Sequence, residues 1–161
     1  MTVNPSFSQL VRSPVLLLAF GFGSGLSPKA PGTVGTIAAI PLWLLLAQLP
    51  QIPYILVVAA AALIGISICG VAAERLGVHD HGGIVWDEFV GLWIAMAFLS
   101  PSYVSLALGF ILFRVFDIIK PWPISWLDKN VGGGLGIMID DVVAGLAAGV
   151  CALIIQTLLL N

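Results

Sequence analysis

Asp87, Glu88, Asp117, Asp140 and Asp141 are five of the eight acidic residues in this 161-residue chain, and all lie inside or at the ends of apolar runs. A carboxylate at bilayer depth costs about 2.5–3.5 kcal/mol unless something compensates it. Neighbouring carboxylates also resist joint ionisation. Against these five charges stand Arg114 and Lys120, so a bound divalent cation is the expected counterion. Every ligand would be oxygen, which selects Mg²⁺ or Mn²⁺ over zinc. Arg114, Asp117 and Lys120 are spaced i, i+3, i+6 and share one face near a helix end. One reading is a structural Arg–Asp pair snorkelling to an interface. The other gives Asp117 to a metal, with Arg114 or Lys120 on a phosphate oxygen. Asp140 and Asp141 head the longest apolar run, where the helix dipole favours acids. Adjacent helical residues point about 100° apart, so one can ligate while the other orients a neighbour.

Two glycine-rich segments accompany the carboxylates. In residues 21–35, GFGSGLSPKAPGTVG, backbone N–H groups and the hydroxyls of Ser24, Ser27 and Thr33 could hold a phosphate. An irregular loop at a helix start is the alternative. The segment is neither a Walker A loop nor a dinucleotide fingerprint. In residues 77–91, GVHDHGGIVWDEFVG, His79 and His81 could be ligands or a proton shuttle, or belong to a solvated loop. An oxygen-ligated cation, a glycine-rich loop and cationic side chains at a membrane surface together suggest phosphoryl chemistry on a lipid.

The elements that must carry these groups are read from hydropathy. The chain is 60% hydrophobic and 9% charged, where soluble domains carry roughly 25% charged residues. Its net charge of −2 argues against nucleic acid as a partner. No cleavable signal peptide is expected at the N-terminus, and Cys69 and Cys151 read as apolar fillers. Spanning takes about 20 apolar residues. Residues 34–49, 52–73, 84–99, 103–119 and 135–160 approach this, so the expected fold is an all-α, polytopic membrane protein with about five transmembrane helices. Residues 15–22 are too short to span and read as a re-entrant or interfacial helix. If the five helices alternate, every Lys and Arg falls on one face, which the positive-inside rule makes cytoplasmic. No repeat or linker divides the chain, so residues 1–161 form one membrane-embedded domain.

Four segments resemble the phosphatidylglycerophosphatase A family of bacterial inner-membrane lipid phosphatases. They are GFGSGLSPKAPGTVG (21–35), GVHDHGGIVWDEFVG (77–91), FRVFDIIKPWPI (113–124) and GGGLGIMIDDVVAG (132–145), in the family's order and over about a third of the chain. The resemblance implies Mg²⁺-dependent hydrolysis of phosphatidylglycerophosphate to phosphatidylglycerol and phosphate, within glycerophospholipid biosynthesis. Asp87 and Glu88 match the family's Asp-Glu pair, Asp117 its Arg-x-x-Asp motif, and Asp140 and Asp141 its paired aspartates. Ser27, Pro28 and residues 31–33 match a Ser-Pro-x-x-Pro-Gly-Thr loop, with Lys29 at a variable position.

The expected site therefore has Asp87, Glu88, Asp117 and Asp141 as catalytic residues. Asp87, Glu88, Asp117, Asp140 and Asp141 hold one or two Mg²⁺ ions. Ser27, Thr33, Arg114 and Lys120 hold the substrate phosphate. Attack by water and an aspartyl-phosphate intermediate both remain open. The rival from another class is an ion or metal transporter using intramembrane carboxylates. Transport sites lie near the midplane, often between repeats, whereas these carboxylates sit at helix ends.

Overall fold

The computed structural model describes residues 4–78 and 81–159; His79, Asp80 and Leu160 lie outside them. Among the described residues every regular element is helical. Two short helices, α1 (Phe7–Val11) and α2 (Pro14–Ala19), lead into a 3₁₀ segment, Gly21–Leu26. Five longer helices follow: α3 (Pro31–Leu46), α4 (Gln51–Leu76), α5 (Trp86–Met96), α6 (Tyr103–Ile119) and α8 (Gly133–Leu159). A short α7 (Ile124–Asn130) connects the last two.

The starts of the helices follow from local chemistry. Ser13 caps α2, its hydroxyl accepting from the Leu16 N–H, with Pro14 in the first turn. Ser102 caps α6 in the same way, accepting from the Ser105 N–H at 3.0 Å. α3 begins at Pro31, where the missing N–H costs nothing. Residues 31–35, read from sequence as loop, are therefore helical, and only residues 21–30 stay irregular or 3₁₀.

α4 and α8, of 26 and 27 residues, are long and apolar enough to cross a membrane. Each reaches about 40 Å at 1.5 Å per residue. The runs expected at 34–49, 84–99 and 103–119 form helices of 16, 11 and 17 residues, short of a full span by length alone. α5 loses both ends of its run to irregular backbone. The Val85 N–H is taken by the Ala19 carbonyl at 2.8 Å, and turn bonds close residues 96–99.

α5 is the centre of the bundle. It packs against α3, α4, α6 and α8, and Phe89, Val90, Leu92 and Ala95 are fully buried. Its indoles meet carbonyls of neighbouring helices: Trp86 donates to Ala61 at 3.2 Å and Trp93 to Ala39 at 3.1 Å. Tyr54 of α4 donates to the Trp93 carbonyl at 2.6 Å. Where α5 crosses α8, Gly145 stands against the Gly91 carbonyl and Ile94. Small residues permit such close approach where apolar burial alone does not drive helices together.

Cross-links at the two ends fix the helix directions. At one end, Gln51 at the start of α4 bonds the Ala97 carbonyl after α5, at 2.9 Å. Gln156 near the end of α8 there meets Ser105 in the first turn of α6, at 2.7 Å. At the other end, Arg75 of α4 donates to Ser13 at 2.8 Å, and Lys120 after α6 reaches Asp140 of α8 at 2.5 Å. α3, α5 and α8 thus run one way and α4 and α6 the other. The carboxylates expected in the site gather at this second end.

Candidate active site

Three elements deliver the acidic groups. Asp87 and Glu88 occupy the first turn of α5, where the helix dipole favours negative charge. Asp140 and Asp141 lie about two turns into α8 and are 6% and 3% exposed. Asp117 is in the last turn of α6. Oxygens of Asp87, Glu88 and Asp141 come within 4.8 Å of one another. Asp117 and Asp140 lie within electrostatic range of Asp141.

A cavity of about 180 Å³ opens on this cluster. Asp87, Glu88, Asp117, Lys120, Asp140 and Asp141 all line it, and so does Asp128 of α7. Gly82 and Ile84, from the glycine-rich segment before α5, form another part of its wall. The cavity has room for an ion, its waters and a phosphate group.

Two cations balance the acids. Arg114 bonds Asp117 and lies 3.9 Å from Glu88, and it donates to the Thr36 hydroxyl at 3.4 Å. Thr36 is itself held by the Gly32 carbonyl at 2.8 Å. Lys120 sits 2.5 Å from both Asp128 and Asp140. Burial disfavours its charged form, but the hydrogen bonds it donates to Asp128 and Asp140 outweigh that and hold its pKa above the ordinary lysine value.

The remaining buried polar atoms test whether a cation suits the cluster. One oxygen each of Asp87, Glu88, Asp140 and Asp141 is buried without a hydrogen-bond partner. Such groups are costly when left unpaired. Four orphaned carboxylate oxygens on residues that line one cavity make an all-oxygen donor set, which suits a hard divalent cation of the Mg²⁺ type.

Not every residue expected from sequence reaches the cavity. The Ser27 hydroxyl donates to the Lys29 carbonyl within its own loop at 2.8 Å, and Ser24 bonds the Gly21 carbonyl at 2.8 Å. Thr33 lines a separate surface groove beside Arg114. From this segment it is Gly32 that stands against Glu88 and Arg114, so close that a side chain there would collide with the Glu88 carboxylate and crowd the Arg114 guanidinium. His81 is buried against Phe20, its Nδ1 accepting from the Gly83 N–H at 3.1 Å, and it does not line the cavity. Lys29 is exposed, and His79 falls outside the described residues.

Two residues join the site that sequence reading passed over. Asp128 offered only the signal of a charge among tryptophans near Lys120. Thr36 offered none beyond standing one helical turn after Thr33.

Among the described residues, the fold and cavity define a helical bundle with an apolar exterior and an acidic site flanked by an arginine and a lysine. The chain belongs to the phosphatidylglycerophosphatase A family, a family of phosphatases, whose sequence model matches residues 17–156. Phosphatidylglycerophosphatase A of Escherichia coli strain K12 is 51% identical over 158 residues, covering 93% of this chain and 92% of its own. The Haemophilus influenzae protein of the same name is 44% identical over 155 residues, 95% of each chain. A Bacteroides thetaiotaomicron protein, provisionally named a phosphatidylinositol-3-phosphatase, is 38% identical over 137 residues, 81% of this chain and 86% of its own. No solved structure matches the chain.

Proposed function

We propose that this protein removes the terminal phosphate of phosphatidylglycerophosphate, releasing phosphatidylglycerol and inorganic phosphate, with Mg²⁺ as cofactor. The observation that carries the reading is the set of orphaned oxygens on Asp87, Glu88, Asp140 and Asp141 around a cavity that also holds Lys120. These residues, with Asp117, would hold the metal. When bound, it supplies Lewis-acid polarisation of the phosphoryl group, charge neutralisation and a more acidic water.

The protein's own groups do the rest. Lys120 reaches the cavity as a fixed positive charge and stabilises negative charge gathering on the phosphoryl oxygens. Arg114 bonds Asp117 and stands 3.9 Å from Glu88, fixing the direction of both side chains. A water oxygen forms the new P–O bond as the bond to the glycerol oxygen breaks. One of the unpartnered carboxylates accepts the water's proton, and the leaving oxygen is protonated in turn.

The protein sits in the bacterial inner membrane with this end of the bundle facing the cytoplasm. Residues 142–158 of α8 are uncharged and cover about 26 Å, close to the roughly 30 Å hydrocarbon core. That leaves Asp141 at the interface. The short α5 fits the same arrangement, because irregular backbone at membrane depth is tolerated where it lines a cavity, as Gly82 and Ile84 do. With α3 and α6 bordering locally thinned lipid, five helices cross. All six basic residues lie at the site end, which makes it cytoplasmic.

The carboxylates' place at one end of the bundle favours a surface enzyme over a transporter, whose site would lie near the midplane. The test offers purified protein phosphatidylglycerophosphate, phosphatidylinositol-3-phosphate and phosphatidylglycerol in mixed micelles with Mg²⁺. Phosphate release is expected from the first far above the second, and none from the diester. A preference for the inositol lipid would move the substrate assignment. Release from none, with divalent-cation flux in liposomes, would overturn the enzyme in favour of the transporter.

A further inference from the structure

α3 and α6 both pack on α5 yet make no more than marginal contact with each other. Between them lies a groove of about 370 Å³ lined by Thr33, Phe110, Ile111, Arg114, Val115, Ile118 and Ile119. Ile111, Val115, Ile118 and Ile119 follow i, i+4, i+7, i+8 spacing, and all four are exposed. Arg114 alone among them is charged, and it also bonds the cavity acids Asp117 and Glu88. Arg114 does not line the acidic cavity, but through these two acids, which do, it links the apolar groove to it.

We propose that this groove is the acyl-chain track of the lipid substrate, with the headgroup turning past Arg114 into the cavity. The inference rests on the lipid phosphatase reading. Its depth fits one leaflet: Phe110 to Ile119 covers nine residue rises, about 14 Å, and half a hydrocarbon core is about 15 Å. Its charge fits as well. The phosphodiester of this lipid lies between its tails and its terminal phosphate, and Arg114 lies between groove and cavity. The larger apolar groove on the other side, where Leu63 of α4 faces Leu146 of α8, carries no charged lining residue and ends among Gln51 and Ala97 at the opposite end of the bundle.

The test compares dipalmitoyl with dihexanoyl phosphatidylglycerophosphate on the full chain in detergent micelles. Ile111 lies about 10 Å deeper than Ile118, beyond the reach of a six-carbon tail held at the headgroup end. Ile111→Trp is expected to lower kcat/KM for the dipalmitoyl lipid by about tenfold or more, the scale of a few methylenes displaced from an apolar pocket. Its turnover of the dihexanoyl lipid should persist, which also reports that the variant folds. Ile118→Trp, nearer the headgroup, should depress both. Leu63→Trp should leave both rates at the wild-type value. A dipalmitoyl lipid carrying a photoactivatable diazirine in its tail should label α3 and α6 of the wild type. Wild type idle on both lipids would defeat the phosphatase reading itself. Wild type active on both, with Ile111→Trp unchanged on the long chain, would defeat the groove alone. Labelling on α4 and α8, or loss of long-chain turnover in Leu63→Trp, would likewise overturn it.

Discussion

Replacing Gly145 with alanine should damage catalysis although the residue touches no substrate. A methyl group built on Gly145 falls 3.1 Å from the Gly91 carbonyl carbon and from Ile94 Cβ, and nearer still to the carbonyl oxygen. Comfortable carbon contacts are about 3.5–4.0 Å, so α5 and α8 must part by on the order of half to one ångström. The obstacle is largely backbone and cannot rotate aside. Gly91 is one turn beyond Asp87 and Glu88, and Gly145 one turn beyond Asp141, so the displacement acts directly on the separation of these carboxylates. A misplacement of about 1 Å costs roughly 10²-fold in rate, and overpacking costs about 1–3 kcal/mol of stability. The assay is phosphate release from phosphatidylglycerophosphate in micelles, with size-exclusion profiles to confirm folding. Leu153→Ala, on an exposed part of the same helix, serves as the neutral comparison. A folded Gly145→Ala protein with wild-type kcat/KM would refute the claim that this crossing sets the carboxylate geometry.

Two further outcomes follow from the charges. Arg114→Met leaves Glu88 and Asp117 without their cation, and breaking a buried pair in this way costs about 3–5 kcal/mol; the melting temperature in micelles should fall markedly. Adding Asp117→Asn should recover much of that stability but not the activity, and failure to recover it would mean Arg114 acts by packing alone. Mg²⁺ at a hundredfold excess over its Kd should stabilise the wild type by about 2.7 kcal/mol. The gain should vanish in Asp87→Asn and Asp141→Asn, and an equal gain in those variants would locate the ion elsewhere.

Much of the helical layout was legible because hydropathy and caps spoke together. Residues 103–119 emerge with the expected bounds: Ser102 caps one end, and Lys120 with Pro121 stops the other. The run at 52–73 extends to Leu76, halted by Gly77 at positive φ. Residues 31–35 were harder to read. Their glycines and proline look like loop, yet Pro31 opens a helix, and the glycines serve close packing against Val85, Glu88 and Arg114. α7 lacked any long apolar run, so neither the helix nor Asp128 was anticipated.

The carboxylates could be picked out because buried charge is expensive wherever it lies in a membrane helix. Hydroxyls carry no such penalty. Ser27 and Thr33 could be named from their motif, but the direction of each side chain depends on the tertiary path. Thr36 bonds Arg114 only because α3 and α6 flank the same helix, a relation that no local spacing encodes.

The central claim is that the acids of α5 and α8 form one metal-dependent phosphatase centre. Its most direct test is phosphate release from phosphatidylglycerophosphate by wild type, Asp87→Asn and Asp141→Asn, each with Mg²⁺ and with EDTA. Turnover should require Mg²⁺ and fall at least about 10³-fold in both variants, as when groups acting as a unit are broken singly. Wild-type turnover undiminished by EDTA, or a folded variant of either aspartate that keeps its rate, would contradict it.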